Sequence, residues 1–198
     1  MGYTNFPNGI TSMGIPQLGS LPEFTGNIRF VGSARAGSSN GNTGIDPDHA
    51  WSTMEYADNQ MTADRGDMVV VMPGHVETIT AAAGLSLDTA DVTWWGIGNG
   101  LNRPKLDFTT AVGADVDFDG DDIWMNNFQF TGGVDALTGP IDLNAAQTIL
   151  TNILTKDVTG QCTDFIATDA NADGLLISGW RHEGASGAGA ETAITIIG

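Results

Sequence analysis

The chain has 198 residues, of which 41% are hydrophobic and 16% are charged, and its net charge is −17 with only seven Lys and Arg. This composition predicts one folded, acidic, soluble domain and argues against disorder. It excludes nucleic-acid binding, because so few basic residues cannot form the positive patch that a phosphate backbone requires.

Two further features restrict the cellular setting. The first residues contain no basic segment followed by an apolar one, and no apolar run approaches the ~18 residues of a membrane span, so neither a secretion signal nor a membrane-inserted segment is expected. Cys162 is the single cysteine, which rules out an internal disulfide framework and agrees with folding in a reducing cytosol. Its expected role is that of a small apolar filler near the start of a strand.

Residues 1–36 differ from the rest because prolines interrupt them at short intervals. Proline and the residue before it favour extended backbone, so we predict an extended N-terminal arm without a core of its own. Two interpretations are open: the arm lies on another protein, or it folds back over the remainder of this chain. The residues expected to make the partner contacts are Tyr3, Phe6, Pro7, Ile10, Met13, Ile15 and Pro16.

One helix is predicted, over about residues 46–64, near the start of a domain that spans 37–198. Asp46 is a suitable N-cap, Pro47 suits the first helical position and Gly66 follows the end. An amphipathic helix ahead of the first full strand is what the open end of a stack of strands needs as a cap. The apolar face recurs at helical spacing, at Ala50, Met54, Ala57 and Met61.

Short strand patterns follow the helix. A compact apolar strand ends at Pro73-Gly74, and further strands are predicted over 85–87, 92–95 and 104–108. The later patterns repeat: Ile123, Ile149 and Leu175 recur at equal intervals (149 − 123 = 26 and 175 − 149 = 26), and Val116, Ile141 and Phe165 recur at nearly the same ones (141 − 116 = 25 and 165 − 141 = 24).

Two strand-like runs in each period indicate one turn of a solenoid. The interval widens between Val92 and Ile123 (123 − 92 = 31), which a loop insertion explains. A chance match of short apolar runs is the alternative interpretation of the repeat.

Alternation along the strands assigns side chains to the inner or outer face. One of the adjacent Trp94 and Trp95 is expected to leave the core, and an outward indole is suited to stacking on a sugar or to anchoring a protein contact. Asn126 and Asn152 share a phase, which predicts an amide contact at one corner. The predicted inward residues are Ile123, Met125, Phe128, Ile149, Leu154, Leu175 and Ile177, and the predicted outward residues are Trp124, Gln129 and Thr155.

A resemblance to a known superfamily is carried by the segment that runs from Asn40-Gly41 through Ala50-Trp51-Ser52-Thr53 to Arg65-Gly66-Asp67, then through Pro73-Gly74-His75-Val76-Glu77, with Asp107-Phe108 beyond. It resembles the start of right-handed parallel β-helix proteins of the pectate-lyase-like superfamily, over roughly residues 38–198 in pattern. The resemblance implies an all-β fold: a single-stranded right-handed parallel β-helix with an N-terminal capping helix and an extended arm. It supports the fold better than any activity.

Enzymes of that fold place outward carboxylates beside Arg, Lys or calcium on neighbouring turns, and Asp121-Asp122 has the composition of an acid–base pair. The polygalacturonase-like family joins its Asp-Asp motif to Gly-His-Gly and Arg-Ile-Lys motifs, and neither occurs in this sequence. We therefore interpret the pair as solvated turn carboxylates and predict no catalytic residue and no enzymatic activity.

Two segments, 115–120 and 169–174, resemble calcium loops because oxygen ligands alternate ahead of a glycine. The closing Glu at the twelfth position is absent from both, since Asn126 and Trp180 stand there. The three histidines, at positions 49, 75 and 182, are too far apart for a local metal motif and are interpreted as helix, turn or surface residues. We predict no metal and no other cofactor, with calcium as the alternative at Asp115, Asp117 and Asp119 or at Asp169, Asn171 and Asp173.

The start of the chain, from Asn5-Phe6-Pro7-Asn8-Gly9-Ile10 to Met13-Gly14-Ile15-Pro16, resembles the beginnings of small tailed-phage virion proteins, including head decoration proteins. This resemblance implies a capsid decoration or stabilisation protein that docks on the major capsid protein. Such a protein would fold in the host cytoplasm, lie on the capsid exterior and form a homo-oligomer, with a trimer as one form.

The last strand pattern is apolar, and an apolar strand edge favours pairing with another chain. Ile194, Ile196 and Ile197 are therefore expected to contact another subunit or a partner.

The alternative function is a carbohydrate-binding or polysaccharide-degrading β-helix module, such as part of a tail spike. Neither nucleic acid nor a membrane is an expected partner.

Overall fold

The computed structural model of the protein describes residues 25–160, 162–185 and 192–196, together with the backbone of two strands, β1 (Thr11–Ser12) and β2 (Ile15–Pro16). These two strands pair antiparallel with each other. Every other described strand belongs to one of three parallel sheets. No helix in the described part of the chain is long and apolar enough to span a membrane.

The strands follow one another as successive turns of a coil. β3 (Ile28–Val31) precedes the first turn, which contains β4 (Asp67–Val71), β5 (Val76–Ile79) and β6 (Leu85–Leu87). Turn 2 contains β7 (Val92–Gly96), β8 (Lys105–Phe108) and β9 (Val116–Phe118), and turn 3 contains β10 (Trp124–Asn126), β11 (Gln129–Gly132) and β12 (Thr138–Leu143). Turn 4 contains β13 (Ile149–Thr151), β14 (Leu154–Asp157) and β15 (Asp164–Thr168), and turn 5 contains β16 (Leu176–Ser178), β17 (Arg181–Glu183) and β18 (Thr192–Ile196).

Each turn contributes one strand to each sheet. Sheet 1 runs β3-β4-β7-β10-β13-β16, sheet 2 runs β5-β8-β11-β14-β17 and sheet 3 runs β6-β9-β12-β15-β18. The molecule is therefore a parallel β-solenoid of five turns, which confirms the predicted all-β fold.

The interior is built from columns of apolar side chains that repeat from turn to turn. On sheet 3, Val116 lies in register with Ile141 and Ile166, and all three are fully buried. On sheet 2, Phe130 lies in register with Leu106 of the preceding turn, and both are fully buried. Because each turn covers the apolar surface of the next, the stack forms one continuous core.

The predicted repeat is confirmed, but its inward phase is wrong by one position in the fourth turn. Met125 stacks on Leu150 and not on Ile149, which lies beside the outward Trp124. Thr155, predicted to point outward, is fully buried in register with Phe130, whereas Leu154 aligns with Gln129 on the outer side. The prediction is wrong here because Ile149 and Leu150 are both apolar, so alternation alone does not decide which one faces the core.

In the last turn of the repeat, both predicted inward residues are confirmed. Ile177 continues the inward column of Met125 and Leu150, while Leu176 aligns with Ile149 on the outer face. Leu175 packs partly against the core, as predicted, although it precedes the strand. Phe165 is buried, but the residue that aligns with Ile141 is Ile166.

The predicted widening of the period is confirmed. Trp124 pairs with Thr93 of the turn before and with Ile149 of the turn after, and the first interval in sequence is the longer one (124 − 93 = 31, against 149 − 124 = 25). The extra residues lie at the corner between sheets 1 and 2, where 97–104 connects β7 to β8 and only 127–128 connects β10 to β11. The long corner contains a short 3-10 helix, Gly100–Asn102.

The predicted helix over about 46–64 is wrong in extent. Asp46 does act as an N-cap, but for a short 3-10 helix, Pro47–His49, after which the backbone becomes extended. Trp51 then bridges β3 in parallel at Val31, and the α-helix proper, α1 (Met54–Asp58), begins only after it. Pairing of Trp51 with the sheet edge overrides the helical periodicity, since the buried indole and the two backbone bonds stabilise extended structure.

The N-terminal end of the solenoid is closed by these elements. Trp51 exchanges backbone hydrogen bonds with Phe30 and Gly32, which satisfies part of the edge of β3. Met54 and Ala57 of α1 are fully buried in the core. The helix therefore has the capping role that the sequence predicted, with fewer residues.

The predicted boundary of the arm at residue 36 lies too late in the chain. β3, within that range, pairs along its length with β4 and is the first strand of sheet 1. Local patterns assign β3 to the arm because its strand partner is distant in the sequence, with Ile28 opposite Met68.

Candidate functional site

An acidic cluster lies on the outer face of sheet 3. Asp117 in β9 and Asp142 in β12 are in register on adjacent turns, between inward residues that hold the strands in place. Asp115 joins them from the loop that directly precedes β9, and carboxylate oxygens of the three residues lie within 4.8 Å of one another. Parallel pairing of two identical Asp positions thus brings together charges that are a full turn apart in the sequence.

The environment of this cluster favours protonated carboxyl groups. Partial burial, followed by the charges of Asp115 and Asp119, raises the pKa of Asp117 to about 7. The pKa of Asp142 is also raised, first by burial and then by Asp115. Asp117 Oδ1 is enclosed and has no hydrogen-bond partner among the described residues.

Such an arrangement has two chemical uses. A carboxyl group that titrates near neutral pH can donate or accept a proton, as a general acid or base does. Three converging carboxylates are also the oxygen ligands that a hard divalent cation prefers. Asp119, one of the sequence candidates, instead accepts a hydrogen bond of 3.0 Å from Asn144 Nδ2.

The second candidate calcium segment has a different arrangement. Asp169 accepts hydrogen bonds from the backbone N–H of Asn171, at 2.7 Å, and from its side-chain amide, at 3.0 Å. The carboxylate therefore stabilises its own turn, as Asx residues commonly do. Among the described residues, Asp169 and Asp173 do not join the cluster of converging carboxylates on sheet 3.

The pair Asp121-Asp122 also has a structural role. Asp121 accepts a hydrogen bond of 2.9 Å from the Ala146 backbone N–H in the next turn. Asp122 has a left-handed backbone with φ of 58° and turns the chain into β10. These contacts agree with the interpretation of the pair as turn carboxylates.

His75 is a fully buried residue, although the sequence placed it in a turn or at the surface. Its Nδ1 accepts a hydrogen bond of 3.0 Å from the Ser33 backbone N–H, and its Nε2 lies 3.0 Å from Glu77. Glu77 also accepts from the Met54 backbone N–H at 2.9 Å, so this polar group joins β5, α1 and the segment that follows β3. The Pro-Gly turn before His75 is a local signal, and it does not indicate burial.

The two outward indoles lie together on sheet 1. Trp94 is fully buried and Trp95 is partly exposed, which confirms that one of the pair leaves the core. Trp95 and Trp124 have ring centroids 5.7 Å apart and planes at 87°. Edge-to-face packing leaves no common flat surface on which two sugar rings could stack side by side.

A small basic cleft lies at the corner between sheets 1 and 2. It has a volume of about 200 Å³ and is lined by Arg103, Asn152, Ile153, Gly179 and Arg181. Burial and the neighbouring charge of Arg181 lower the pKa of Arg103. The amide contact predicted for this corner is confirmed, because Asn152 Nδ2 donates to Asn126 Oδ1 at 2.8 Å.

The predicted contact residues at the C-terminal edge are only partly described. Ile194 is half-buried against the core and Ile196 is 76% exposed, while Ile197 lies outside the described residues. Side chains of the arm candidates also lie outside the described part of the chain: Tyr3, Phe6, Pro7, Ile10, Met13, Ile15 and Pro16. Their proposed contacts stay predictions.

The buried cysteine behaves as predicted. Cys162 is fully buried just before β15, and burial followed by the neighbouring Asp157 raises the pKa of its thiol. A neutral, enclosed thiol is a packing residue and a poor nucleophile.

Comparison with known proteins gives a fold. No protein-family model and no curated protein matches the sequence. The solved structure of a rhamnogalacturonan lyase is similar, with a TM-score of 0.57 at 13% identity over 87% of this chain and 56% of the lyase chain. The chain thus spans about half the length of that lyase. At this identity the likeness shows the parallel β-helix fold alone.

This likeness corrects the expectation that the protein has no enzymatic activity. That expectation rested on missing motifs of one glycoside-hydrolase family and on the small number of basic residues that could abstract a proton, whereas the matched solenoid belongs to a lyase. Absence of one family's motifs therefore does not exclude catalysis on this fold.

Sequence reasoning missed Asp142, which completes the acidic cluster. It grouped Asp115, Asp117 and Asp119 because they are neighbours in the sequence. The signal that identifies Asp142 is the repeat period, which relates Asp117 to Asp142 just as it relates the apolar Val116 to Ile141.

Proposed function

We propose that the protein is a structural component of a tailed-phage virion: a capsid decoration or stabilisation protein that docks on the major capsid protein through its N-terminal arm. It would fold in the host cytoplasm and lie on the capsid exterior. The observation that carries this proposal is the sheet organisation, in which β1 and β2 pair with each other and join none of the three solenoid sheets. Such an arm adds no rung to the coil and is suited to binding elsewhere.

Two sequence features add support. The arm carries the resemblance to virion proteins, and it combines prolines with spaced apolar residues that can anchor an extended segment on a partner. A net charge of −17 suits a protein on the outer surface of a shell whose interior holds DNA, because like charge disfavours contact with phosphate.

The arm is tested by exchanging single apolar residues in the full-length chain. Phe6→Asp and Ile10→Asp are expected to prevent cosedimentation with assembled capsids. Leu101→Asp is the matched control, because Leu101 is fully exposed on a corner of the solenoid. Circular dichroism checks that each variant keeps the native melting temperature. Undiminished capsid binding by both arm variants would contradict the proposal.

A second function is favoured by the acidic cluster on sheet 3. A carbohydrate-binding or polysaccharide-degrading β-helix module, such as part of a tail spike, would use the titrating Asp117 as its acid or base. Incubation with host polysaccharides should then release reducing or unsaturated ends, and Asp117→Asn should abolish the release. Asp173→Asn, an exposed carboxylate outside the cluster, serves as the control. Equal release by both variants, or none by the wild type, removes this candidate.

A further inference from the structure

The outer face of sheet 1 carries apolar side chains that line up across successive strands. Inward positions of this sheet include Val69, Trp94 and Met125, so the residues between them point outward. The first outward row is Ile28, Met68, Thr93, Trp124 and Ile149, and the second row begins with Phe30, Val70 and Trp95. None of these residues is charged. A continuous apolar row on the outside of a folded domain indicates a surface that packs against something.

Part of this outer face is covered. Met68 is 1% exposed and Val70 is 5% exposed, although both side chains point away from the core. They form a cluster with residues of the same face and with Ala50, which precedes Trp51 at the edge of β3. Neighbours in one sheet shield an outward side chain from the sides and leave its end open, so a further segment must lie over the face. Because this burial arises within one chain, the cover belongs to the same chain.

The segment 1–24 joins the solenoid beside this face. Thr25 Oγ1 donates a hydrogen bond of 2.9 Å to the carbonyl oxygen of Arg65, which lies just before β4. The first row, from Ile28 to Ile149, crosses five neighbouring strands of sheet 1. At about 4.8 Å between strands the row is roughly 20 Å long, a distance that about six extended residues span. The segment is therefore long enough to cover both rows.

The composition of the segment matches that of the face. Residues 1–22 contain no Asp, Glu, Lys, Arg or His, in a chain whose net charge is −17. An uncharged segment can pack on an uncharged face without burying an unpaired charge. β1 and β2 pair with each other and join none of the solenoid sheets, so contact with sheet 1 would come from side chains packed on its face and not from an added strand.

We propose that residues 1–24 lie across the outer face of sheet 1 in the free protein and cover its two apolar rows. The contact buries Met68 and Val70 and brings the segment to the outward indoles of Trp95 and Trp124. Docking on a capsid would exchange this contact for one with the partner, because the same apolar residues of the arm serve both. The inference describes the protein without its partner and goes beyond the proposed function.

A bimane label at Ser12→Cys in β1 tests the contact in the full chain without capsids. Tryptophan quenches bimane on contact, and the native Cys162 is fully buried and does not react with the label. We expect the label to be quenched, and the quenching to be lost in the double variant W95F/W124F, which keeps the face apolar. Val112→Cys, in an exposed loop between sheets 2 and 3, is the control and should show no quenching in either background.

Chymotrypsin cleavage after Phe6 measures how often the segment leaves the face. Ile149→Glu places a charge beneath the segment and should accelerate cleavage by about tenfold or more, because a covered carboxylate loses its hydration. Thr93→Glu, in the same row, is a second variant with the same expected effect. Val76→Glu adds the same charge at an exposed apolar position of sheet 2 and should leave the rate unchanged. Circular dichroism checks that the solenoid of each variant stays folded.

Three results would overturn the proposal. A label at Ser12→Cys that fluoresces equally with and without the two indoles shows that the segment does not reach this face. Cleavage that is no faster in Ile149→Glu and Thr93→Glu shows that the segment does not cover the rows. Quenching or protection that is lost on dilution assigns the face to a second copy. These measurements omit the capsid, so an arm that covers sheet 1 but fails to dock contradicts the proposed function alone.

Discussion

The rings of Phe108 and Phe130 stack between adjacent turns, with centroids 6.5 Å apart and planes 13° from parallel, although the two residues are two positions out of register. Both rings are fully buried. Phe130 is in register with Leu106 in the turn before and with Thr155 in the turn after, whereas Phe108 is in register with Gly132. The ring stack is therefore a diagonal contact between two neighbouring columns of sheet 2.

We expect Phe130→Ala to lower the free energy of unfolding by about 3–5 kcal/mol, because it leaves a cavity between turns that stack in register. Phe130→Leu keeps most of the volume and should cost about 1 kcal/mol. Urea unfolding followed by tryptophan fluorescence measures both. Equal losses for the two variants would show that the ring stack is not held as the structure describes.

Asp58, at the end of α1, should make stability depend on pH. Burial raises its pKa to about 6, although Asp88 and Thr89 donate hydrogen bonds to Oδ2. A folded-state pKa above the ordinary value of 3.8 means that the native state binds the proton more tightly, so this contribution is present at low pH and is lost as pH rises from about 4 to about 6.

Asp58→Asn should therefore gain stability relative to the wild type over that interval. The measurement is the difference in free energy of unfolding between the two proteins at several pH values. Asp173→Asn is the surface control. A difference that stays constant with pH would contradict the assignment.

The acidic cluster predicts a coupled titration. Carbon-13 NMR of the Asp117 carboxyl group should show a pKa of about 7. Among the neighbouring charges, that of Asp115 raises the pKa of Asp117 most. Asp115→Asn should therefore lower that pKa towards its ordinary value, although burial keeps part of the increase. An unchanged titration in Asp115→Asn would show that the three side chains do not converge in solution.

Two substitutions of Asn127 distinguish the cost of backbone strain from the contribution of its side-chain hydrogen bonds. Its φ is 65°, and its Nδ2 donates to the carbonyl oxygens of Gly96 at 2.9 Å and Gly98 at 3.0 Å. Asn127→Ala loses both bonds and keeps an unfavourable backbone, so we expect a loss of about 2 kcal/mol or more. Asn127→Gly removes the strain and should cost less. Thermal unfolding of the two variants gives the comparison, and the reverse order would be incompatible with the left-handed turn.

The periodic features of the solenoid could be predicted from the sequence because stacked turns repeat their composition. Val116 and Ile141 identified their common column, and the wider interval between Val92 and Ile123 indicated an inserted loop without locating its corner. The phase of turn 4 could not be predicted, since adjacent apolar residues such as Ile149 and Leu150 make both alternations acceptable.

Features that depend on distant partners were not accessible to local patterns. Trp51 interrupts the predicted helix because it pairs with β3, and His75 is buried because Ser33 and Glu77 satisfy its ring nitrogens. Asp142 joins Asp117 only through the register of two turns. Each of these contacts joins residues whose proximity exists only once the coil has formed.

The cap at the N-terminal end covers the first turn of the coil on its outer side. Trp51 bridges β3, and α1 buries Met54 and Ala57 in the core, while β4 pairs with β3 on one side and with β7 on the other. Amide protons of β4 should therefore exchange with deuterium more slowly than those of β3. The capped edge could then open and close again while the rung beneath it stays folded.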